Sequence, residues 1–236
     1  LSNTVSCLAE TIDGSMIFGT PEGISVLTET NVWDSVLDTI TSTTVTSIKV
    51  TSVGTIWVGT SNRGFFVNDG SGFVNPLAAL FTSVYSIEED RSGNIWIGTG
   101  NALLKYDGTK YTVNNYPDLN GMISSLRKDN RNRLWIGVWG KKNAKWIDEK
   151  GLHELSLLTG RDSCFINDIF EDRRGNIWFA TSGDGVICYD GIIPRKFSTG
   201  NLFPENVVKA IGEDKSGNIW FGLGSKGVVR YTLPIN

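Results

Sequence analysis

The sequence predicts an all-β fold, a six-bladed β-propeller of four-stranded antiparallel blades with an incomplete last blade. Three observations predict it. One phrase, Gly93-Asn94-Ile95-Trp96-Ile97-Gly98-Thr99, returns in variants around Trp57, Trp135, Trp178 and Trp220, and a degenerate first copy spans Gly14 to Thr20 with Phe18 read at the tryptophan position. The steps from Phe18 through these tryptophans are 39, 39, 39, 43 and 42 residues, a period that signals solenoids and propellers. No segment sustains a 3.6-residue apolar period, so little or no helix is expected. The reading is one domain, 1–236, with blades near 1–40, 41–80, 81–119, 120–162, 163–204 and 205–236.

Blade three shows the unit most clearly. Val84 to Glu89 alternates and reads as a first strand. Asp90-Arg91-Ser92-Gly93 has turn chemistry, because an Asp side chain can hold its own backbone and Gly supplies a positive φ. Asn94 to Gly98 is β-branched and aromatic, a second strand; Gly100-Asn101 turns again; Ala102 to Tyr106 is a third strand. Asp107-Gly108 is a hairpin signal, and Lys110 to Val113 is a fourth, more polar strand. Four short antiparallel strands per ~40 residues match a propeller blade. The inner strands of such a blade are covered on both faces, so the repeat tryptophans are read as core.

The pattern V-x-S-I-x-E-D-x-x-G-N-I-W-I-G-T, followed by Tyr106-Asp107-Gly108, resembles the two-component regulator propeller repeat. Blade five carries it from Ile166 to Gly191 and blade six from Val208 to Gly222. The resemblance implies an extracytoplasmic, sensor-type module of bacterial signal transduction, periplasmic or extracellular, of a kind that responds in many cases to glycan fragments. The chain has no room for a kinase, a receiver or a DNA-binding domain, so signalling would need a larger assembly or a partner. A second resemblance, through D-x-x-G-x-I-W-F, is to the streptogramin lyases. It implies a histidine and a magnesium ion on one face, and His153 is the only histidine here. His153 is expected on the outer strand of blade four, which makes lyase or glycan-cleaving chemistry the alternative and a non-enzyme with no cofactor the main reading.

Composition narrows the partners. Net charge is −3, with acidic and basic residues mixed along the chain, so no basic stripe points to nucleic acid. No apolar run approaches the ~20 residues of a membrane span. Cys7, Cys164 and Cys188 lack metal-ligand spacing and are expected as free thiols, since strands at ~4.8 Å spacing should separate Cys164 from Cys188. Asp90, Asp129, Asp172 and Asp214 share one repeat position and are read as turn caps, not as catalytic carboxylates. Gly183-Asp184-Gly185 has the flavour of a calcium loop but lacks the ligand series of one.

The repeat breaks most in blade four. Trp139 replaces a small turn residue and is followed by Lys141 and Lys142, with Lys145 and Trp146 on the next strand. The turns between second and third strands and the connections between blades should share one face. A ligand site is expected there, with Trp139, Lys141 and Lys142 on the rim and Arg63, Asp184 and Lys226 on the same face; Asn101, Tyr116 and Arg161 are further loop residues there. An exposed Trp beside cations would suit a small molecule, a sugar ring or an acidic oligosaccharide. Trp139 could instead cover an edge of the neighbouring blade, and protein partners could bind the same face. At the C-terminus, Val228 to Tyr231 is a third strand and Pro234 weakens any fourth. Ring closure is therefore expected through side chains of blades one and six, including Trp220 and Phe221, with an open edge able to recruit another strand.

Overall fold

The computed structural model describes residues 3–28, 33–34, 40–77, 83–114, 116–141, 143–157, 165–199 and 203–232. The chain has an all-β, six-bladed propeller fold. Five sheets have four strands and the sixth has three, each sheet running in chain order. Two compact units, 1–115 and 116–236, hold three sheets each. Blade three consists of Val84–Glu89, Ile95–Thr99, Leu103–Tyr106 and Tyr111–Asn114, close to the sequence reading. Blade six consists of Val208–Glu213, Asn218–Leu223 and Val228–Thr232; residues 233–236, where any fourth strand would fall, lie outside the described residues. Helix among the described residues is confined to 3-10 turns such as Pro117–Leu119.

The Asp position does more than cap a turn. In blade five, one carboxylate oxygen of Asp172 accepts the backbone N–H groups of Arg174 (3.0 Å) and Asn176 (2.9 Å). The other accepts the Asn176 carboxamide (2.8 Å) and the indole N–H of Trp178 (2.8 Å). Gly175 takes φ +81 to close the turn, a conformation that favours glycine. Blade four repeats the arrangement with Asn132 at φ 62 in the glycine place and Arg133 in the asparagine place. The indole bond recurs as Trp96 to Asp90, Trp135 to Asp129 and Trp220 to Asp214, at 2.8–2.9 Å. A buried indole thus finds its acceptor in the turn that precedes it.

Alternation then links the blades. Along Ile-Trp-Ile, the tryptophan points to one face of the sheet and its two neighbours to the other. Trp135 packs with Ile169, Ile177 and Phe179 of blade five, and Trp178 with Ile219 and Phe221 of blade six. Trp57 packs likewise with Ile95, Ile97 and Leu104 of blade three. Each burial contributes roughly several kcal/mol by area, as an upper bound. Glycine follows this triplet where the next blade crowds in: a Cβ on Gly59 would lie 2.7 Å from a Val84 methyl group.

Two expectations need correction. In blade one, the Gly14 N–H bonds the Thr11 carbonyl as Gly93 bonds Asp90, which puts Ile17, not Phe18, at the tryptophan position. Ile17 pairs with Ala9 as Trp96 pairs with Glu88, and it is buried against blade two. Trp220 is not core: it is 38% exposed. Blade five covers the opposite face of that strand, where Ile219 and Phe221 are fully buried.

Polar ties add to the apolar ones within each unit. The Glu before the turn Asp reaches back to the preceding blade. Glu89 accepts the Ser52 N–H (2.8 Å) and hydroxyl (2.7 Å), Glu171 the Asn130 N–H (2.9 Å) and Glu213 the Arg173 N–H (3.0 Å). A β-bulge early in the first strand turns one side chain toward the next blade. Ser124 donates to the Ile166 carbonyl (2.6 Å), Asn167 to that of Val208 (2.6 Å), and Thr46 to that of Val84. Beside this bulge Asp168 accepts the Ile211 N–H at 2.8 Å. Burial pushes its carboxyl up to about 6, against the Ile211 bond and the nearby Arg127 charge.

Two outcomes follow. Asp172→Ala strands the Trp178 indole and two backbone N–H groups, and should cost on the order of 3 kcal/mol in urea unfolding at pH 7. Asp168 has the opposite sign: its folded pKa lies above the unfolded value, so its charged form costs stability as pH rises from about 4 through 6. Asp168→Asn keeps an acceptor for Ile211, and should be near neutral at pH 4 and stabilising by about 2 kcal/mol at pH 8. Equal effects at both pH values would contradict this linkage.

Candidate functional site

The turns between second and third strands share one end of each blade with the incoming first strand. The Ser182 N–H bonds the Phe165 carbonyl (2.9 Å), Gly224 bonds Val207 (2.9 Å), Ser61 bonds Thr44 (2.9 Å) and Trp139 bonds Met122 (2.8 Å). In most blades a threonine at the strand end organises this turn. Thr181 Oγ1 donates to the Gly185 carbonyl (2.9 Å) and accepts the Asp184 N–H (3.1 Å). Thr20, Thr60 and Thr99 do the same in blades one to three.

Blade four has Val138 at the threonine position and lacks that hydroxyl. Its turn closes through Gly140, at φ +80, with the Lys141 N–H on the Val138 carbonyl (3.2 Å). The result lifts Trp139 onto the surface. Its ring is 48% exposed and meets the Phe165 ring edge-on at 5.6 Å. One edge of the indole thus covers blade five, and the rest is open. Lys141 is exposed beside it, while Lys142 lies outside the described residues. Asn143, at the base of the loop, keeps a buried carboxamide oxygen without a hydrogen-bond partner among the described residues. Lys145 is buried and paired with Glu154, so it is no surface cation.

The other expected residues separate. Asp184 is 3% exposed and ion-paired with Lys196 at 2.6 Å, so its carboxylate is already engaged. Lys226 is exposed at the matching turn of blade six, where Glu205 accepts its backbone N–H (2.9 Å). Arg63 belongs to the first unit, at the matching turn of blade two. Its guanidinium donates to the Thr41 carbonyl (3.1 Å) and lies 5.1 Å from the Phe66 ring centre. Asn101 caps its own turn beside Thr99, and Tyr116 precedes the 3-10 turn; Arg161 and Cys164 lie outside the described residues. Cys7 and Cys188 are free and half-buried, and burial pushes both thiols up to about 12.

His153 sits on the outer strand Gly151–Leu155 of blade four, as expected. Its ring stacks on Trp146 at 5.0 Å and Nε2 lies 2.9 Å from Asp148 Oδ1. Among the described residues no group of three His, Cys, Asp or Glu side chains could hold a metal ion. Sequence reasoning missed Asp168; its one signal is an acid where other blades have Ser47, Ser86 or Ser125.

No curated protein matches the chain. Among solved structures, a catalytically inactive virginiamycin B lyase from Staphylococcus aureus, crystallised with quinupristin, is similar with TM-score 0.80 and 16% identity, over 99% of this chain and 82% of that one. PorZ, a surface component of the type-IX secretion system of Porphyromonas gingivalis, gives TM-score 0.73 and 15% identity over 96% of this chain and 38% of its own. The extracellular domain of a putative hybrid two component system from B. thetaiotaomicron gives TM-score 0.66 and 16% identity, over 98% of this chain and 38% of that one. At such identities these likenesses describe the fold. The family model for the two component regulator propeller matches residues 80–101, 160–183 and 202–225, the stretches that carry the Glu-Asp turn and its tryptophan strand in blades three, five and six. Three stretches of the chain, in blades three, five and six, thus match the two-component regulator propeller repeat.

Proposed function

We propose that residues 1–236 act as one propeller domain, a non-catalytic ligand-binding or protein-interaction module of the sensor type working outside the cytoplasm. The observation that carries this reading is the exposed indole of Trp139, on a turn where valine replaces the organising threonine; blade six has Leu223 there, followed by Gly224 and no aromatic. An aromatic face beside the exposed Lys141, with Lys142 next in the sequence, suits a sugar ring carrying acidic groups, since stacking and cation contacts can act together. Lys226 and Arg63 extend the proposal as further cations on turns of the same kind; Asp184 is left to its ion pair with Lys196. The repeat type supports the sensor reading, and no helix of the described chain is long and apolar enough to cross a membrane. Val228–Thr232 is the edge strand of its sheet among the described residues, and a second contact there would be strand addition by a protein partner.

The lyase reading is favoured by the likeness of fold to virginiamycin B lyase. Against it, the single histidine is stacked on Trp146 on an outer strand and faces Asp148. Titration with acidic and neutral oligosaccharides, followed by thermal shift and product analysis, separates the two. Binding without turnover is expected. Trp139→Ala should weaken it at least ~10-fold while changing stability by less than about 1 kcal/mol, because half the ring is already in water. Product formation from any of them, or unchanged affinity in Trp139→Ala, would contradict the proposal.

A further inference from the structure

Blade two departs from the repeat at the opposite end, at the turn between its first and second strands. Thr51 stands where blades three to six have aspartate, and Thr55 where they have asparagine or arginine. Thr51 keeps half of the aspartate's work: its hydroxyl accepts the Thr55 N–H at 3.0 Å. The other half is vacant. Trp57 is only 3% exposed, yet among the described residues no acceptor takes its indole N–H, whereas the other four repeat tryptophans each donate to a carboxylate. The missing side-chain atoms leave a cavity of about 270 Å³ between blades two and three, lined by Thr51, Thr55, Trp57, Asp69, Glu89 and Tyr106 among others. Blade one also has two small residues at these positions, Thr11 and Ser15, over a cavity, but Ile17 brings no indole N–H to that one. The blade-two cavity alone of this pair combines space with an indole N–H that no described residue accepts.

We propose that this cavity is a binding site for a small neutral polyhydroxylated molecule, separate from the Trp139 surface. The vacated group is a carboxylate, so an anion is the obvious candidate, but the lining argues against one. Asp69 and Glu89 bring two negative charges and the lining has no cation. Glu89 spends two lone pairs on Ser52 and keeps capacity to accept more. A cation would suit the carboxylates and leave the indole N–H facing positive charge. A hydroxyl group meets both demands, accepting from Trp57 and donating to Asp69 or Glu89, and a second hydroxyl can reach the Thr51 or Thr55 oxygen. The Tyr106 ring, 5.6 Å from the Trp57 ring, supplies an apolar wall for the carbon skeleton. The Tyr106 hydroxyl is already committed to the Gly108 carbonyl (2.8 Å).

The test is a nitrogen-15 NMR titration of the intact chain that reads the indole N–H cross-peaks. Trp57→Phe identifies the Trp57 peak, and the combined change Thr51→Asp with Thr55→Asn, which restores the blade-three turn chemistry, identifies it independently by moving it. Adding myo-inositol should shift the Trp57 peak saturably, and adding sodium acetate to the same concentration should not. The filled variant should lose the response. No saturable shift with myo-inositol would mean that water alone satisfies the indole. A response that survives the filling would place the binding elsewhere, and an equal or larger response to acetate would make the site anionic in preference; each overturns the proposal. Trp139 gives its own indole peak, so capture at the turn surface of blade four is read separately.

Discussion

The hydrogen bond from a tryptophan indole to the turn aspartate six residues before it is the interaction on which the rest depends. It fixes three things at once. The aspartate closes the turn through two backbone N–H groups, as Asp172 does with Arg174 and Asn176. It orients the indole that forms the floor for the next blade, as Trp178 does for Ile219 and Phe221. It also leaves the preceding glutamate free to tie the turn of the blade before, as Glu213 ties Arg173. Desolvation and hydrogen bonding compete at this carboxylate. At Asp90, burial pushes the pKa up, and the bonds from Trp96, Asn94 and Ser92 outweigh it, so the net shift is down. At the more open Asp214 the Trp220 and Asn218 bonds lower the pKa with little opposition. Both aspartates therefore stabilise the fold above the ordinary carboxylate range and lose that contribution as the pH falls through their lowered values.

Departures from the unit are where candidate function lies, because a scaffold that repeats its polar bonds can lose one copy and stay folded. Losing the strand-end threonine in blade four frees a turn to carry Trp139 outward. Losing the aspartate and asparagine in blade two opens a cavity and strands an indole. These are opposite ends of the blade, so the two changes offer different chemistry: an exposed aromatic with a cation in one, and a half-open pocket with carboxylate acceptors and an indole donor in the other.

Much of this was legible in the residues. The period, the four strands of blade three, the turn at Asp90-Gly93 and the outer-strand place of His153 all follow from spacing and turn chemistry. The aspartate's second partner did not, because a contact between residues 172 and 178 depends on how the strand pleat swings an indole back over the turn. The first blade was read one residue late: without an aromatic at 17, Phe18 attracted the assignment, and only the Thr11–Gly14 bond counts the register correctly. Trp220 matches the motif, but its exposure is decided by which face a neighbouring blade covers. Asp184 looked like a loop acid, and its partner Lys196 lies on another strand of the same blade, 12 residues away.

A double-mutant cycle between Asp172 and Trp178 tests the central claim most directly. Urea unfolding of Asp172→Ala, Trp178→Phe and the combined variant gives the coupling between the carboxylate and the indole. If the indole bond organises turn and blade contact together, the coupling should be at least about 1.5 kcal/mol, with the second change costing much less once the first is made. Additive losses, with coupling within about 0.3 kcal/mol of zero, would mean that the turn and the tryptophan core stabilise the blade independently.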